Sequence, residues 1–288
     1  MRPEYQQRLN IETLRDLPPE KNGLFILLDG AALPALQLIY QHDDAPQVDP
    51  LYRGTRHQHA VDVSPSLYRP SAQSRFWDIQ EQWRDAGIVI SSDHSFDILA
   101  GHLRSLLSVR MPSGQLAYCR FYSPGLLKRF CASLSEEELN DWLGPINGCL
   151  IHAGQNLEEN WEYVAASEKA AARTADQEGW FQLRPEQLHA WQQEERQLYI
   201  ERMTRHFASS PQSSTVAGPL EETISIRVEQ AEQAGLQFED QITHFLELAL
   251  RFPVEMDSPN NCTLLADTSQ PADHRLEQLE ARLFGLQG

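Results

Sequence analysis

Short apolar segments alternate with amphipathic segments through the first half of the chain, and this alternation limits the possible folds more than any other feature. Leu24–Leu28 is a continuous apolar run, typical of a strand buried on both faces. Three further strand candidates follow, at Ala60–Val63, Ile88–Ile90 and Ile146–Ile151. The segments between them carry apolar residues at helical spacing. Strands interleaved with helices predict an α/β layer fold.

A turn at Met111–Gly114 indicates how some of these strands run. The residues after it, from Leu116 to Tyr122, alternate in the way expected of a strand. A tight turn between two strands places at least one antiparallel pair in the sheet. We therefore predict a mixed sheet flanked by helices.

The second half of the chain has a different character. From about Gly154 it is rich in Glu, Gln and Ala, with long helical stretches and few strand signals. These patterns predict an α/β lobe at residues 1–152 and a mainly α-helical lobe at residues 153–288. A Ser- and Pro-rich stretch predicts a flexible loop at about 209–220. Residues 254–274 are expected to be loosely ordered.

The net charge of −17 excludes some classes of partner. Such a chain repels phosphate, which argues against sequence-independent nucleic-acid binding and against docking on anionic lipid. Residues 1–152 carry 14 basic and 18 acidic side chains, a net charge of −4. Residues 153–288 carry 10 basic and 23 acidic side chains, a net charge of −13. The acidity belongs mainly to the predicted helical lobe, so we expect that lobe to meet basic protein surfaces.

The N-terminus and the cysteines indicate a cytoplasmic protein. The first residues are polar and lead into no apolar signal segment, and no apolar run approaches the roughly 20 residues of a membrane span. The four cysteines form no C-x-x-C pair and no regular spacing.

Known catalytic and cofactor motifs do not occur in the sequence. It has no G-x-S-x-G, P-loop, H-E-x-x-H or G-x-G-x-x-G pattern, so we expect neither a cofactor nor a metal. One alternative stays open. His57 and His59 would lie on the same face of a strand, and with Asp62 they could hold a metal ion in a hydrolase.

Several short phrases occur in a fixed order along the first half of the chain. They are Leu27–Ala31, Val63–Leu67, His102–Leu107, Met111–Gly114, Arg120–Pro124 and Gly144–Ile146. Together they resemble the cytoplasmic adaptor chaperones that load toxic effectors onto the spike of the bacterial type VI secretion system, the Tap or TEC class. The resemblance covers residues 24–151.

The resemblance implies structural roles for a set of motif residues: Asp29, Gly30, Pro65, Arg120, Tyr122, Pro124, Gly144 and Pro145. One residue departs from the family pattern, because Ser123 stands where that pattern has Asp. Both residues cap helices well, so the cap should survive. A salt bridge from Arg120 to position 123 is put in doubt.

The resemblance also implies a function that is not catalytic. The adaptor would bind one cognate effector and deliver it to the spike protein. Cargo contact is assigned to the helical lobe, because cargo-specific surfaces should vary more than the scaffold. Large aromatic side chains are common anchors of protein interfaces. The anchor candidates are Trp161, Tyr163, Trp180, Trp191 and Tyr199.

Overall fold

The computed structural model describes residues 7–9, 23–152, 161–209 and 218–285. The chain divides into two compact units between Leu188 and His189. The first unit contains a sheet with flanking helices and the second is helical, which confirms the predicted fold class. Residues 210–217 of the predicted flexible loop lie outside the described residues.

Seven strands form the main sheet of the first unit, in the order β1-β9-β8-β5-β2-β4-β3. They are β1 (Gln7–Leu9), β2 (Gly23–Leu28), β3 (Gln47–Pro50), β4 (Ser66–Arg69), β5 (Gly87–Ser92), β8 (Gly148–His152) and β9 (Trp161–Ala165). In the centre, Ile26 of β2 lies opposite both Tyr68 of β4 and Val89 of β5. Both faces of β2 are covered, so its four residues from Phe25 to Leu28 are buried, as the apolar run predicts.

The sheet is antiparallel in every described ladder, whereas the sequence predicted a mixed sheet. Hydrophobic periodicity reports which residues are buried and carries no information on strand direction. Some neighbouring strands are joined by long segments that contain several elements. The chain between β5 and β8, for example, includes three helices and a hairpin, so it can return in either direction.

The strand predicted at Ala60–Val63 is wrong. Residues Gln58–Val63 form 3₁₀ turns with a kink at Ala60, and none of them is buried. The strands on either side, β3 and β4, were missed. Each has only four residues, and β3 contains an aspartate and a proline, so neither shows a clear alternating pattern.

The predicted turn at 111–114 does join an antiparallel pair, β6 (Ser108–Arg110) and β7 (Leu116–Tyr118). This pair forms a separate two-stranded ribbon and is not part of the main sheet. The segment around Phe181 runs beside it, because the Arg110 N–H donates to the Phe181 carbonyl (2.7 Å) and the Leu183 N–H donates to the Arg110 carbonyl (2.8 Å).

The described residues of the first unit form four helices that lie wholly within it: α1 (Ala35–His42), α2 (Phe96–Ser105), α3 (Pro124–Ser133) and α4 (Glu136–Leu143). The sequence defines where α4 begins. The Ser135 hydroxyl accepts from the Glu138 N–H (3.2 Å), and the Glu138 carboxylate accepts from the Ser135 N–H (2.8 Å). This capping box satisfies two amide groups that the helix leaves without a partner.

The second unit is built of helices. They are α5 (Pro185–Ala208), which begins in the first unit, α6 (Leu220–Gln233), α7 (Glu239–Arg251), α8 (Pro253–Met256), α9 (Pro259–Ala266) and α10 (Ala272–Leu283). The expectation of loose order at 254–274 is wrong, because α8, α9 and the start of α10 occupy it. Short helices that begin at Pro253 and Pro259 lack a long apolar period, but Met256, Leu264 and Leu265 enter the core of the unit.

Strand β9 shows that the first unit continues beyond residue 152. It pairs with β8 on one side and β1 on the other, so residues beyond 152 complete the sheet. The first unit extends past the boundary predicted at residue 152 and ends at Leu188. Residues 189–288 contain seven arginines, no lysine and 16 Asp or Glu residues, a net charge of −9. Across the described ranges, no helix has the length and apolarity needed to cross a membrane.

Candidate functional site

The loop after β2 holds a buried carboxylate that joins two of the motif phrases. Asp29 is 2% exposed. One of its oxygens accepts from the Ala31 N–H (3.0 Å), and the other accepts from the Arg120 guanidinium (2.7 Å). The Arg120 side chain is about half exposed, and its bond to Asp29 raises its pKa further. The pair therefore ties the strand end at residue 29 to the segment that precedes α3.

The departure at position 123 does not disturb this pair. Arg120 binds Asp29, which lies 91 residues earlier in the chain, so its ion pair does not need an acid at position 123. Ser123 occupies the N-cap position of α3, with buried Pro124 as the first helical residue. Its side chain makes no capping hydrogen bond, and its N–H donates to the Arg120 carbonyl (2.9 Å).

Three tyrosines continue the site from Arg120. The buried Tyr122 hydroxyl shares hydrogen bonds with the hydroxyls of Tyr52 (2.9 Å) and Tyr118. Burial raises the pKa of Tyr118 to about 12 and raises the pKa of Tyr122 as well. Tyr118 and Tyr122 can therefore act as neutral hydrogen-bond donors and acceptors at physiological pH. The three tyrosines link the loop after β3, the ribbon strand β7 and the start of α3.

Next to the tyrosines, one carboxylate oxygen of Glu178 collects three partners. It accepts from the His57 Nε2 (2.9 Å) and the Ser108 hydroxyl (2.6 Å), and it lies 3.1 Å from the Arg56 guanidinium. Burial opposes ionisation of Glu178, but these hydrogen bonds and charges outweigh it and lower its pKa. Because Ser108 bonds the carboxylate and has no bond to His57, the group lacks the nucleophile–base pair of a hydrolase.

The metal alternative predicted at His57, His59 and Asp62 is not supported by the positions of these residues. The 3₁₀ turn directs them differently from a strand: His57 binds Glu178, whereas His59 and Asp62 are exposed. Within the described part of the chain, no three His, Cys, Asp or Glu side chains are grouped so that they could hold a metal ion.

Apart from Glu178, the residues of these contacts lie in a part of the chain that matches a known family model. Residues 24–141 match the family model described as a domain of unknown function, DUF4123. This segment of the chain is similar to that family. This confirms the resemblance that the motif phrases indicated.

One curated relative of this chain is the accessory protein VasW of Vibrio cholerae serotype O1 (strain ATCC 39315 / El Tor Inaba N16961). It is 27% identical over 170 residues, which cover 59% of this chain and 53% of VasW. The chain thus matches about half the length of that relative. No solved structure matches the chain.

Just beyond the matched segment, Gly144 packs against the imidazole of a buried histidine, His102. His102 is fully buried; its Nε2–H donates to the Trp142 carbonyl (2.9 Å) and its Nδ1 accepts from the Arg173 N–H (3.2 Å). Burial lowers its pKa to about 4. Gly144 has a φ of +53°, and a Cβ there would lie 2.5 Å from the imidazole Cε1. Only glycine meets both requirements.

The remaining motif residues also connect loops to the strands of the main sheet. The buried Pro145 carbonyl accepts from the Ser92 hydroxyl (2.7 Å), and the buried Pro65 carbonyl accepts from the Leu51 N–H (2.8 Å). Gly30 lies against the Ser64 carbonyl so closely that a Cβ would overlap it. The contacts of this motif set are therefore contacts that hold segments of the domain to one another.

None of the five aromatic anchor candidates is exposed. The prediction that Trp161 anchors a partner is wrong, because Trp161 is 2% exposed and packs in the core beside Trp83. Tyr163 is half-buried against the same core, and Trp180 lies under the Arg173 guanidinium at 3.6 Å. The other two candidates, Trp191 and Tyr199, are partly buried on α5.

Sequence reasoning missed several members of the site, among them Tyr52, Glu178 and Arg104. Glu178 lies outside every motif phrase, and its three partners come from distant parts of the chain. Arg104 is part of a motif phrase but was not singled out. It binds both oxygens of Asp49 (2.8 and 2.9 Å) and donates to the Leu51 carbonyl (3.0 Å). No local sequence signal marks these pairings.

Proposed function

We propose that this protein is a non-catalytic adaptor chaperone, which binds a cognate type VI secretion effector and delivers it to the spike protein in the cytoplasm. The DUF4123 match over residues 24–141 carries this proposal. The name of the relative VasW, an accessory protein, is consistent with a helper role.

The geometry of the site supports a role without catalysis. His57 and Ser108 both bond the same oxygen of Glu178, and the two oxygens of Asp29 accept from a backbone amide and from Arg120. A catalytic carboxylate or histidine needs a free position toward a substrate. Groups that satisfy each other in this way hold a scaffold in place.

The negative charge of the second unit supports a separate partner-binding role for that unit. The second unit has a net charge of −9, and its described ion pairs already occupy Arg196, Arg202 and Arg227. Seven arginines cannot balance the 16 acidic side chains of this unit, so it carries an excess of negative charge. We assign cargo binding to this unit, toward a basic surface of the effector. Such a pair associates faster at low ionic strength.

The test uses the full chain together with a type VI spike protein and a candidate effector, both chosen from the products of the neighbouring genes. We expect the chain to form a stable complex with each of them in size-exclusion chromatography with light scattering. Association with the effector should slow as salt is added, and association with the spike serves as the internal comparison. Absence of a complex with both proteins would refute the proposed function. An effector association rate that is independent of salt would refute the assignment of cargo to the acidic unit.

A further inference from the structure

Helix α1 carries an apolar stripe that the described residues leave uncovered. Its inner face is buried, with Ala35, Leu38 and Ile39 in the core. On its outer face Leu36 is 37% exposed and Tyr40 is 60% exposed. These two residues are four positions apart, so they lie one above the other on the same side of the helix.

A cavity of about 190 Å³ opens beside this stripe. Leu36 and Val61 form apolar parts of its wall, and Gly30, Ala35 and Ser64 are among the other residues that line it. Because Gly30 has no Cβ, the loop after β2 can lie directly against Ser64. Cavities of about 150 Å³ with apolar walls accept a group as large as benzene. This cavity therefore has room for one aliphatic or aromatic side chain.

One carboxylate completes the surface. Asp62 lines the same cavity and is exposed, and it has no ion pair among the residues that the structure describes. A ligand that fills the cavity would bring its neighbouring groups against this carboxylate. A cation is the complementary group, and charge complementarity of this kind sets specificity and the association rate.

We propose that Leu36, Tyr40, Val61 and Asp62, called here the α1 face, form the docking site for the spike protein. A segment of the spike would insert one apolar side chain into the cavity and place a Lys or Arg against Asp62. This inference rests on the proposed function. The α1 face lies within the segment that matches the family model, whereas the second unit, assigned to the cargo, lies outside it. A partner common to adaptors of this kind fits the shared segment.

The experiment measures the affinity of the full chain for the spike and for the effector separately, by calorimetry or interferometry. Leu36→Glu places a charge at the mouth of the cavity, and Asp62→Lys reverses the charge at its rim. Ile98→Glu is the matched control, because Ile98 is 44% exposed on helix α2 of the same unit and does not line the cavity. Unchanged thermal unfolding of each variant establishes that it is folded.

We expect Leu36→Glu and Asp62→Lys each to weaken spike binding by about tenfold or more, the factor that corresponds to roughly 1.4 kcal/mol. Effector binding should stay unchanged, and Ile98→Glu should change neither affinity. If the spike binds both variants as tightly as the wild type, the inference fails and the proposed function stands. Loss of effector binding instead would overturn the assignment to the spike. A wild-type chain that binds neither protein would overturn the proposed function, and this inference with it.

Discussion

The buried imidazole of His102 should make the first unit lose stability between pH 7 and pH 5. In the fold the pKa of His102 is lowered from 6.5 to about 4, because burial disfavours its charged form. An unfolded chain therefore binds a proton at His102 before the folded chain does. Stability is unaffected above pH 7 and falls as the pH drops from 6.5 toward 4.

The magnitude follows from the two pKa values. Each pKa unit corresponds to about 1.4 kcal/mol, so the full loss by pH 4 is about 3 kcal/mol and the loss at pH 5 is about 2 kcal/mol. Carboxylates contribute little at pH 5. The pKa of Asp43 is lowered to about 2, and an unfolded aspartate with a pKa of 3.8 is still mostly ionised at that pH, so its share is below about 0.1 kcal/mol.

The assay is urea unfolding at a series of pH values from 7.5 to about 5, followed by tryptophan fluorescence. Five of the six tryptophans belong to the first unit, so the signal reports mainly on that unit. The comparison variant is His102→Gln, which keeps a donor and an acceptor at this position but does not titrate. We expect the wild type to lose about 2 kcal/mol over this range and the variant to lose much less. Equal losses in both proteins would refute the reasoning.

Three further outcomes are expected. Gly144→Ala should destabilise the first unit by about 1–3 kcal/mol in urea unfolding, since its φ is +53°, whereas Gly125→Ala, in open space on a helix, should be neutral or slightly stabilising. Arg120→Ala should lower the free energy of unfolding by about 1–3 kcal/mol, because it leaves the Asp29 carboxylate buried without its cation. Adding Asp29→Asn should restore part of this loss, and additive losses in the double variant would argue against the pair. In a thiol-labelling assay the native protein should expose one fast thiol, Cys262, and the other three cysteines should react only on unfolding; rapid labelling of more than one would contradict the described burial.

The strands that could be predicted from the sequence are those buried on both faces. β2, β5 and β8 are short apolar runs, and a run of this type is recognisable without any knowledge of neighbours. The capping box at Ser135 was equally readable, because it depends on two residues three positions apart. The edge strand β3 could not be found in this way. It contains Asp49 and Pro50, and it is a strand because it pairs with β4, its one neighbour among the described strands.

The candidate site shows the same limit, because its contacts join residues that are far apart in the chain. Asp29 and Arg120 were both singled out, but as members of separate phrases. Their contact joins positions 91 residues apart and depends on how β2 and the segment before α3 are brought together. The family pattern has an acid at position 123, where this chain has Ser123. In the fold the carboxylate beside Arg120 comes from Asp29. The partners of Glu178 were out of reach for the same reason.

The motif residues differ in kind from the residues proposed to bind partners. Asp29, Tyr122, Pro145 and Gly144 are buried, and their substitution acts through the stability of the domain. Loss of function in such a variant therefore says nothing about where a partner binds, because an unfolded domain binds neither spike nor effector. The α1 face offers the opposite case, since Leu36 and Tyr40 are exposed and can be changed with little effect on folding. Variants that separate binding from stability must come from this second group, and their unfolding profile is the measurement that assigns a residue to one group or the other.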